Sequence, residues 1–293
     1  MNALPFQTVR DMLRYAVTRF NAGGLFFGHG CDNAFDEAVF LILHTLSLPI
    51  DRLEPFLDAR LRSSEIAVLV DLIERRVAER IPVAYLTRET WLQGYRFYVD
   101  GRVIVPRSFI AELIGEQFAP WLADPDSVHR ILELCTGSAC LAVLLADAFP
   151  HARIDAADIS HDALEVARIN VERYGMEDRI SLICSDLYQN LGTERYDLII
   201  ANPPYVNDDS MRKLPPEYQH EPYMALAGGH DGMDITRRIV ADAKPHLTEN
   251  GLLVVEIGNE ARHAKAAFAQ RDLTWLSTSG GDDRVFLLAG AAL

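Results

Sequence analysis

From about residue 108 onward, short apolar runs alternate with longer stretches in which apolar residues recur at three- and four-residue spacing. The short runs are typical of buried parallel strands, and the spaced stretches are typical of amphipathic helices. Strands that alternate with helices form right-handed β-α-β units, with helices on both faces of one sheet. The sequence therefore predicts an α/β fold with a doubly wound sheet. The late runs LTWLSTS and RVFLLAG are expected to close that sheet as a hairpin.

The apolar run YDLIIA (196–201) leads directly into Asn-Pro-Pro-Tyr, residues 202–205. Two consecutive prolines remove two backbone donors and hold φ at about −65°, so neither a central strand nor a helix interior can continue through them. The strand is therefore expected to end at Ala201. That end would leave the tetrapeptide, the Asn-Pro-Pro-Tyr loop, at the carboxyl edge of the sheet, where open α/β sheets bind ligands.

Three earlier strand ends carry residues suited to a nucleoside ligand. In LELCTGSACLAV (132–143), Gly137 lies in a turn that leads into a helix, where the backbone can approach a ligand closely. Asp158 ends the next strand and can accept hydrogen bonds from ribose hydroxyls, while Asp186 ends the third and can accept one from an exocyclic amine. Each residue alone also fits a structural turn or a helix cap. Their recurrence on successive strand ends favours binding, although the GxGxxG pattern of dinucleotide folds is absent.

The part of the chain before residue 108 has a different pattern. Three helical stretches predict a small helical domain over residues 1–88. Two β-rich runs around Asp100-Gly101 predict a β-hairpin connector over residues 89–107, and residues 108–293 form the α/β domain. The segment 207–232 is long and rich in Gly and Pro, and connections of that kind are usually functional.

Composition limits the partners and the cell compartment. The formal net charge of −14 makes duplex DNA a poor partner and a basic protein a good one. The first residues lack the basic and apolar regions of a signal peptide, and no apolar run approaches a membrane span, so a cytoplasmic location is expected. The four cysteines show no CxxC spacing and the histidines show no ligand spacing, which predicts free thiols and no metal.

Taken together, these motifs resemble those of a known family of enzymes. The stretch Glu133 to Cys140, then Asp158, Asp186 and the Asn-Pro-Pro-Tyr loop, in that order, resemble the Rossmann-like S-adenosylmethionine-dependent methyltransferases that modify a planar amide or amine nitrogen. The resemblance covers about residues 105–290 and implies S-adenosyl-L-methionine as the cofactor. It implies these cofactor-binding residues: Glu133, Thr136, Gly137, Asp158, Asp186 and Asn202.

Within that set, the resemblance implies that the Gly137 turn holds the methionine part, Asp158 the ribose and Asp186 the adenine. Members of the family often have glycine where this chain has Cys135 and Ala139. We expect the Ala139 methyl group to affect the affinity for the cofactor rather than the fold.

The Asn-Pro-Pro-Tyr loop suits methyl transfer to an amide, which is a poor nucleophile because its lone pair is delocalised. Acceptors directed at the amide N–H groups oppose that delocalisation, and the Asn202 side-chain oxygen and the Pro203 carbonyl are predicted as those acceptors. Tyr205 is predicted to stack on the flat amide. Under the alternative interpretation, the loop is only a turn that ends a strand, with Asn202 as its cap.

Four further stretches indicate which nitrogen is methylated, since enzymes that methylate adenine also use Asn-Pro-Pro-Tyr. They resemble the HemK-like protein N5-glutamine methyltransferases and are FFGHGCDNAFDEA (26–38), VIVPRS (103–108), HEPYMALAGGHDG (220–232) and VVEIG (254–258). FGHG, DNAFDEA and the turn at 135–138 are similar to those members that modify a glutamine of the third protein of the large ribosomal subunit. The expected function is therefore N5-methylation of that glutamine, and the expected partner is that basic ribosomal protein.

The predicted substrate-binding residues are Pro204, Arg107 and Glu221, and the helical domain is predicted to recognise the substrate because it lies outside the cofactor half. Glu221 also fits a surface helix charge. Two alternatives are methylation of the Gly-Gly-Gln glutamine of peptide release factors and a non-catalytic, cofactor-binding ribosome assembly factor. An intact Asn-Pro-Pro-Tyr loop argues against the assembly factor, because a scaffold has no physical need for it.

Overall fold

The computed structural model describes residues 6–293 and divides into two compact units. The first comprises Met1–Thr90 and Pro215–His220, and the second comprises Trp91–Leu214 and Glu221–Leu293. The sequence did not predict that Pro215–His220 would belong with the helical residues. The physical reason is a buried ion pair between Arg76 and Glu217, whose positions are 141 residues apart.

The first unit is helical. Its helices are α1 (Val9–Ala22), α2 (Ala34–Thr45), α3 (Ser63–Glu79) and α4 (Val83–Thr87), with 3-10 helices at Glu54–Phe56 and Pro216–His220. Thr8 caps α1, because its side chain accepts from the Asp11 N–H while the Asp11 carboxylate accepts from the Thr8 N–H. The apolar faces of α1, α2 and α3 form one core, in which Phe20, Leu41 and Ile73 are completely buried.

A buried charge network also holds this unit together. The Arg76 guanidinium donates to Glu37 at 2.6 Å, to Glu217 at 3.3 Å and to the carbonyl of Phe26 at 2.9 Å. Burial raises the pKa of Glu37, and Arg76 opposes that shift. A buried arginine with this many partners fixes the loop at Phe26 and the start of α2 relative to α3.

The hairpin connector has its turn at a different place from the predicted one. Strands β1 (Thr90–Leu92) and β2 (Tyr95–Phe97) pair around Gln93-Gly94, whose φ angles are +50° and +80°. Two positive φ angles match the tight turn that fits the right-handed twist of a hairpin. The predicted position at Asp100-Gly101 is wrong because the Asp100 carboxylate binds the Arg102 backbone N–H at 3.1 Å and forms a local turn instead.

The second unit contains a seven-stranded sheet, which confirms the predicted α/β fold. Its strands are β3 (Arg130–Leu134), β4 (Arg153–Asp158), β5 (Ile180–Cys184), β6 (Tyr196–Ala201), β7 (Leu247–Glu256), β8 (Thr274–Thr278) and β9 (Gly281–Ala289). Their order is β5-β4-β3-β6-β7-β9-β8. The first five in that order are parallel, and β9 pairs antiparallel with both β7 and β8, as the predicted closing hairpin requires.

Helices cover both faces of this sheet. The helices of the second unit are α5 (Ile110–Gly115), α6 (Cys140–Ala148), α7 (His161–Arg173), α8 (Asp208–Met211), α9 (Asp234–Asp242) and α10 (Ala261–Ala267), with 3-10 helices at Pro125–Ser127, Tyr223–Ala225, Lys244–His246 and Gly290–Ala292. Neighbouring residues of a strand face opposite sides, so Ile199 and Ile200 of β6 belong to different apolar clusters. Burial on both faces explains why the strand sequences are continuous apolar runs.

The order of the strands places a binding site. The chain runs from the central β3 outward to β5 and then returns to β6 on the other side of β3. The carboxyl ends of β3 and β6 therefore lie side by side at the point where the order reverses, which is where doubly wound sheets bind ligands. Across residues 6–293, no helix has both the length and the apolar character that a membrane crossing requires.

Candidate active site

A cavity of about 370 Å³ lies at the carboxyl ends of β3 to β6, within the second unit. That volume is typical of a small-molecule site. The predicted site residues that line it are Gly137, Asp158, Asp186, Asn202 and Pro204. The predicted residues outside its lining are Glu133, Thr136, Pro203, Tyr205, Arg107 and Glu221. The structure thus brings one residue from each of the four strand ends to a single cavity.

The turn after β3 alternates between ordinary and left-handed backbone. Cys135, Gly137 and Ala139 have φ angles of +59°, +57° and +59°. A Cβ atom added to Gly137 would meet no heavy atom within 4 Å, so open space of the cavity lies beside this glycine. The left-handed conformation costs a non-glycine residue about 1–2 kcal/mol, which explains why glycine suits positions 135 and 139.

Ala139 lies away from the cavity lining. The residue is completely buried in the core cluster at the start of α6, and it is not part of the cavity lining. Its methyl group therefore packs in the core rather than in the cavity lining, and its effect on cofactor affinity stays a prediction.

Glu133 and Thr136 lie beneath the turn. Both are buried, and the Thr136 hydroxyl donates to the Glu133 carboxylate at 2.5 Å. Burial raises the pKa of Glu133 to about 8. The Thr136 N–H donates to the Ala157 carbonyl at 3.0 Å, so this pair supports the turn and ties it to β4.

Asp158 connects the ends of β3 and β4. One carboxylate oxygen accepts the Gly137 N–H at 2.9 Å, and the other accepts the Ser160 N–H at 2.9 Å. Burial raises the pKa of Asp158, and the two N–H donors oppose that shift. Each oxygen keeps a further lone pair, so the side chain can still accept hydrogen bonds from a ligand in the cavity.

Asp186, two residues beyond β5, is held by Arg238 of α9. The Nη2 atom of Arg238 lies 2.9 Å and 2.8 Å from the two carboxylate oxygens, and both side chains line the cavity. Arg238 did not emerge from the sequence as a site residue. The sequence shows only that Arg238 lies on a polar helix face, and this is true of most surface arginines.

The Asn-Pro-Pro-Tyr loop begins directly after β6, as predicted, with Asn202 and Pro204 facing the cavity. Backbone hydrogen bonds fix its far end. The Val206 N–H donates to the Leu226 carbonyl at 2.9 Å, and the Gly228 N–H donates to the Val206 carbonyl at 2.9 Å. The loop is therefore attached to the segment 226–228 as well as to the sheet.

Tyr205 packs behind the loop. Its ring lies against Gly258, where a Cβ atom would overlap the ring, and its hydroxyl donates to Glu256 at 3.3 Å. A Cβ on Gly232 would overlap the Tyr205 carbonyl in the same way. These close approaches explain the glycines of AGGHDG and VVEIG.

Two buried glutamates hold the segment 105–109, which contains Arg107. Glu221 accepts both terminal nitrogens of Arg107, at 2.6 Å and 2.8 Å, and the Val105 N–H at 2.9 Å. Glu256 accepts the Ser108 hydroxyl at 2.6 Å and the Phe109 N–H at 2.9 Å, and burial raises the pKa of Glu256. The sequence drew attention to VVEIG but did not assign a role to Glu256. Arg107 and Glu221, both predicted to bind substrate, lie paired with one another.

Comparisons with known proteins agree with this geometry. Residues 117–214 match the Methyltransferase small domain family. The crystal structure of the hMettl16 catalytic domain with a MAT2A 3′UTR hairpin shares the fold, with a TM-score of 0.51 and 16% identity over 81% of this chain and 84% of that chain. The fold and the site define a Rossmann-like methyltransferase.

Closer relatives specify the family. A "Ribosomal protein uL3 glutamine methyltransferase" of Burkholderia pseudomallei is 59% identical over 99% of this chain and 96% of its own length. One of Bordetella pertussis is 56% identical over 98% of this chain and 96% of its own length. The chain belongs to the family of ribosomal protein uL3 glutamine methyltransferases, which confirms the resemblance found in the sequence.

Proposed function

We propose that the chain methylates the N5 nitrogen of a glutamine in ribosomal protein uL3, the third protein of the large subunit, with S-adenosylmethionine as the methyl donor. The proposal rests on one observation: residues that are distant in the sequence line a single cavity. They are Gly137, Asp158, Asp186 and Asn202. The names of the relatives supply the substrate.

The cavity has the chemistry that S-adenosylmethionine requires. Open space beside Gly137 suits the methionine part, and the remaining lone pairs of Asp158 suit ribose hydroxyls. Asp186 can accept a hydrogen bond from the adenine amine, and Leu187 and Ile235 add apolar surface for the ring. When bound there, S-adenosylmethionine supplies a methyl group on a positively charged sulfur, which is open to attack by a nucleophile.

The residues of the Asn-Pro-Pro-Tyr loop orient the glutamine amide. The Asn202 side-chain oxygen and the Pro203 carbonyl accept the two amide N–H groups and favour the positive charge that develops on nitrogen. The product nitrogen then loses one proton to water. The Tyr205 ring lies against Gly258 and its hydroxyl donates to Glu256, so its role in the proposal is to hold the loop there, and not to stack on the amide.

Charge and the remaining predicted residues fit the same substrate. A net charge of −14 favours encounter with a basic ribosomal protein, and the proposed location of the reaction is the cytoplasm, where ribosomal proteins are made. The Arg107–Glu221 pair holds the segment whose neighbours Val103 and Ile104 line the cavity, so both residues act on the substrate through that segment. The helical unit is proposed to recognise uL3.

The test is transfer of labelled methyl from S-adenosylmethionine to purified uL3, beside a peptide release factor, with mass spectrometry to locate the methyl group. Label on a glutamine of uL3 alone is expected. Label on the release factor alone would overturn the substrate, and label on neither protein would overturn the catalytic proposal. Repeating the experiment with a helical domain grafted from a release-factor methyltransferase tests whether the helical unit recognises the substrate. An unchanged substrate choice would show that it does not.

A further inference from the structure

Two large apolar side chains stand exposed beside the cavity. Tyr223 is 69% exposed and Met224 is 52% exposed, and both contribute to the cavity lining. They lie in the 3-10 helix Tyr223–Ala225, within the second unit. Neighbouring exposed apolar side chains at a ligand cavity are typical of a surface that a ligand or a partner covers.

The segment that carries these side chains is firmly held on one side by Glu221. That residue is only 4% exposed, and it binds Arg107 through both carboxylate oxygens and the Val105 N–H through one. Hydrogen bonds between a buried carboxylate and a guanidinium are among the stronger ones in proteins. The start of the segment is therefore fixed relative to the segment 105–109.

The other side of the segment is attached to the catalytic loop. Leu226 and Gly228 exchange backbone hydrogen bonds with Val206, directly after the Asn-Pro-Pro-Tyr loop. A Cβ atom on Gly228 would lie 2.7 Å from the Tyr205 Cα and 2.8 Å from the Pro204 carbonyl oxygen, so the two backbones touch. Tyr223 and Met224 are thus presented at a set position beside Asn202 rather than on a free loop.

We infer that Tyr223 and Met224 form a docking rim for the extended polypeptide on either side of the acceptor glutamine. The inference rests on the proposed function, because an amide can reach Asn202 only if the polypeptide that carries it crosses the edge of the cavity. A glutamine side chain is short, so its neighbours in the sequence must lie on the rim.

The chemistry of the rim fits a basic segment. The face of a tyrosine ring attracts lysine and arginine side chains, and the thioether of methionine adapts to their aliphatic stems. The net charge of −14 favours the same partner. The occupant is therefore an extended segment with lysine or arginine close to the acceptor glutamine.

The test uses the full-length double variant Tyr223→Ser, Met224→Ser, with uL3 as the substrate. We expect KM for uL3 to rise by about tenfold or more, because buried aromatic anchors carry much of the binding energy of an interface. The kcat and the Kd for S-adenosylhomocysteine should change much less than KM, because a docking rim binds the flanking polypeptide rather than the methyl donor or the amide. Tyr223→Phe keeps the ring and should keep the wild-type KM.

Trp121→Ser is the matched control. Trp121 is 48% exposed in the same unit but is not part of the cavity lining, so its loss should leave KM unchanged. An unchanged KM in the double variant would overturn the rim, and so would an equal weakening of S-adenosylhomocysteine binding, because the side chains would then belong to the cofactor site. Tyr223→Ser alone gives the same test if the double variant does not fold. Absence of transfer by the wild-type protein would instead overturn the proposed function, and the rim with it.

Discussion

The guanidinium of Arg238 lies within 2.9 Å of both carboxylate oxygens of Asp186, although the two residues are 52 positions apart. Asp186 is the residue assigned to the adenine amine, and it follows β5, while Arg238 lies on α9. The ion pair fixes the direction of the carboxylate inside the cavity. We therefore propose Arg238 as a positioning residue for the nucleoside part of the cofactor.

Arg238→Gln should therefore weaken binding of S-adenosylhomocysteine by up to about fivefold, since a partly exposed ion pair contributes about 0.2–1 kcal/mol. Isothermal titration calorimetry measures the effect. The neighbouring Arg237→Gln is the control, because Arg237 pairs with Asp231 and lies outside the cavity lining. Equal Kd values for the two variants would show that Arg238 does not orient Asp186.

Gly258 has no side chain, and this lets the Tyr205 ring of the Asn-Pro-Pro-Tyr loop pack directly against its backbone. Its φ is +51°, and a Cβ atom there would overlap the Tyr205 ring. Gly258→Ala should displace Tyr205 and lower kcat by about tenfold or more, because a small misplacement of orienting groups is costly in an in-line displacement. Steady-state methyl transfer measures the effect.

Gly175→Ala separates the steric effect from backbone strain. Gly175 has a φ of +61°, but a Cβ atom there meets nothing within 4 Å. Both variants lose about 1–2 kcal/mol of stability from the left-handed conformation, and only Gly258→Ala should lose activity. Two variants with wild-type kcat would contradict the proposed role of Gly258.

Glu133 makes the free energy of unfolding depend on pH. Burial raises its pKa to about 8 from an ordinary value of 4.5. The folded state therefore retains a proton that the unfolded chain has lost, and this contribution to stability is complete below pH 4.5 and declines as the pH rises toward 8.

Glu133→Gln removes the titration and keeps an acceptor for Thr136. Without cofactor, the Tm of the variant relative to wild type should increase by several degrees between pH 5.5 and pH 8.5, at about 2–4 °C per kcal/mol. The exposed Glu172→Gln on α7 serves as the control and should show a constant difference. A constant difference for Glu133→Gln would mean that the carboxyl is ionised throughout.

The strands and the cavity residues that follow them could be predicted from the sequence because they depend on local patterns. Apolar runs mark buried strands, and Gly137, Asp158, Asp186 and Asn202 follow those strands directly. Parallel strands carry residues at their carboxyl ends to one edge, so the topology alone brings these four together. The net charge and the motifs shared with the glutamine methyltransferases then indicated a basic ribosomal protein as the substrate.

Features that depend on side chains far apart in the sequence could not be predicted from the sequence. The attachment of Pro215–His220 to the helical unit depends on Glu217 meeting Arg76, and the role of Arg238 depends on the direction of α9. The position of the hairpin turn depends on two positive φ angles at Gln93-Gly94, which compete with a stronger local signal at Asp100-Gly101.

The most direct measurement of the central claim is the kcat for methyl transfer to uL3 at saturating S-adenosylmethionine, with wild type, Asn202→Ala and the exposed control Asn250→Ala. Saturation removes any effect of Asn202 on cofactor affinity. Loss of one transition-state acceptor should lower the kcat of Asn202→Ala by about 10²–10³-fold, while Asn250→Ala keeps the wild-type rate. Full transfer by Asn202→Ala under these conditions would contradict the assignment of the Asn-Pro-Pro-Tyr loop as the group that activates the glutamine amide.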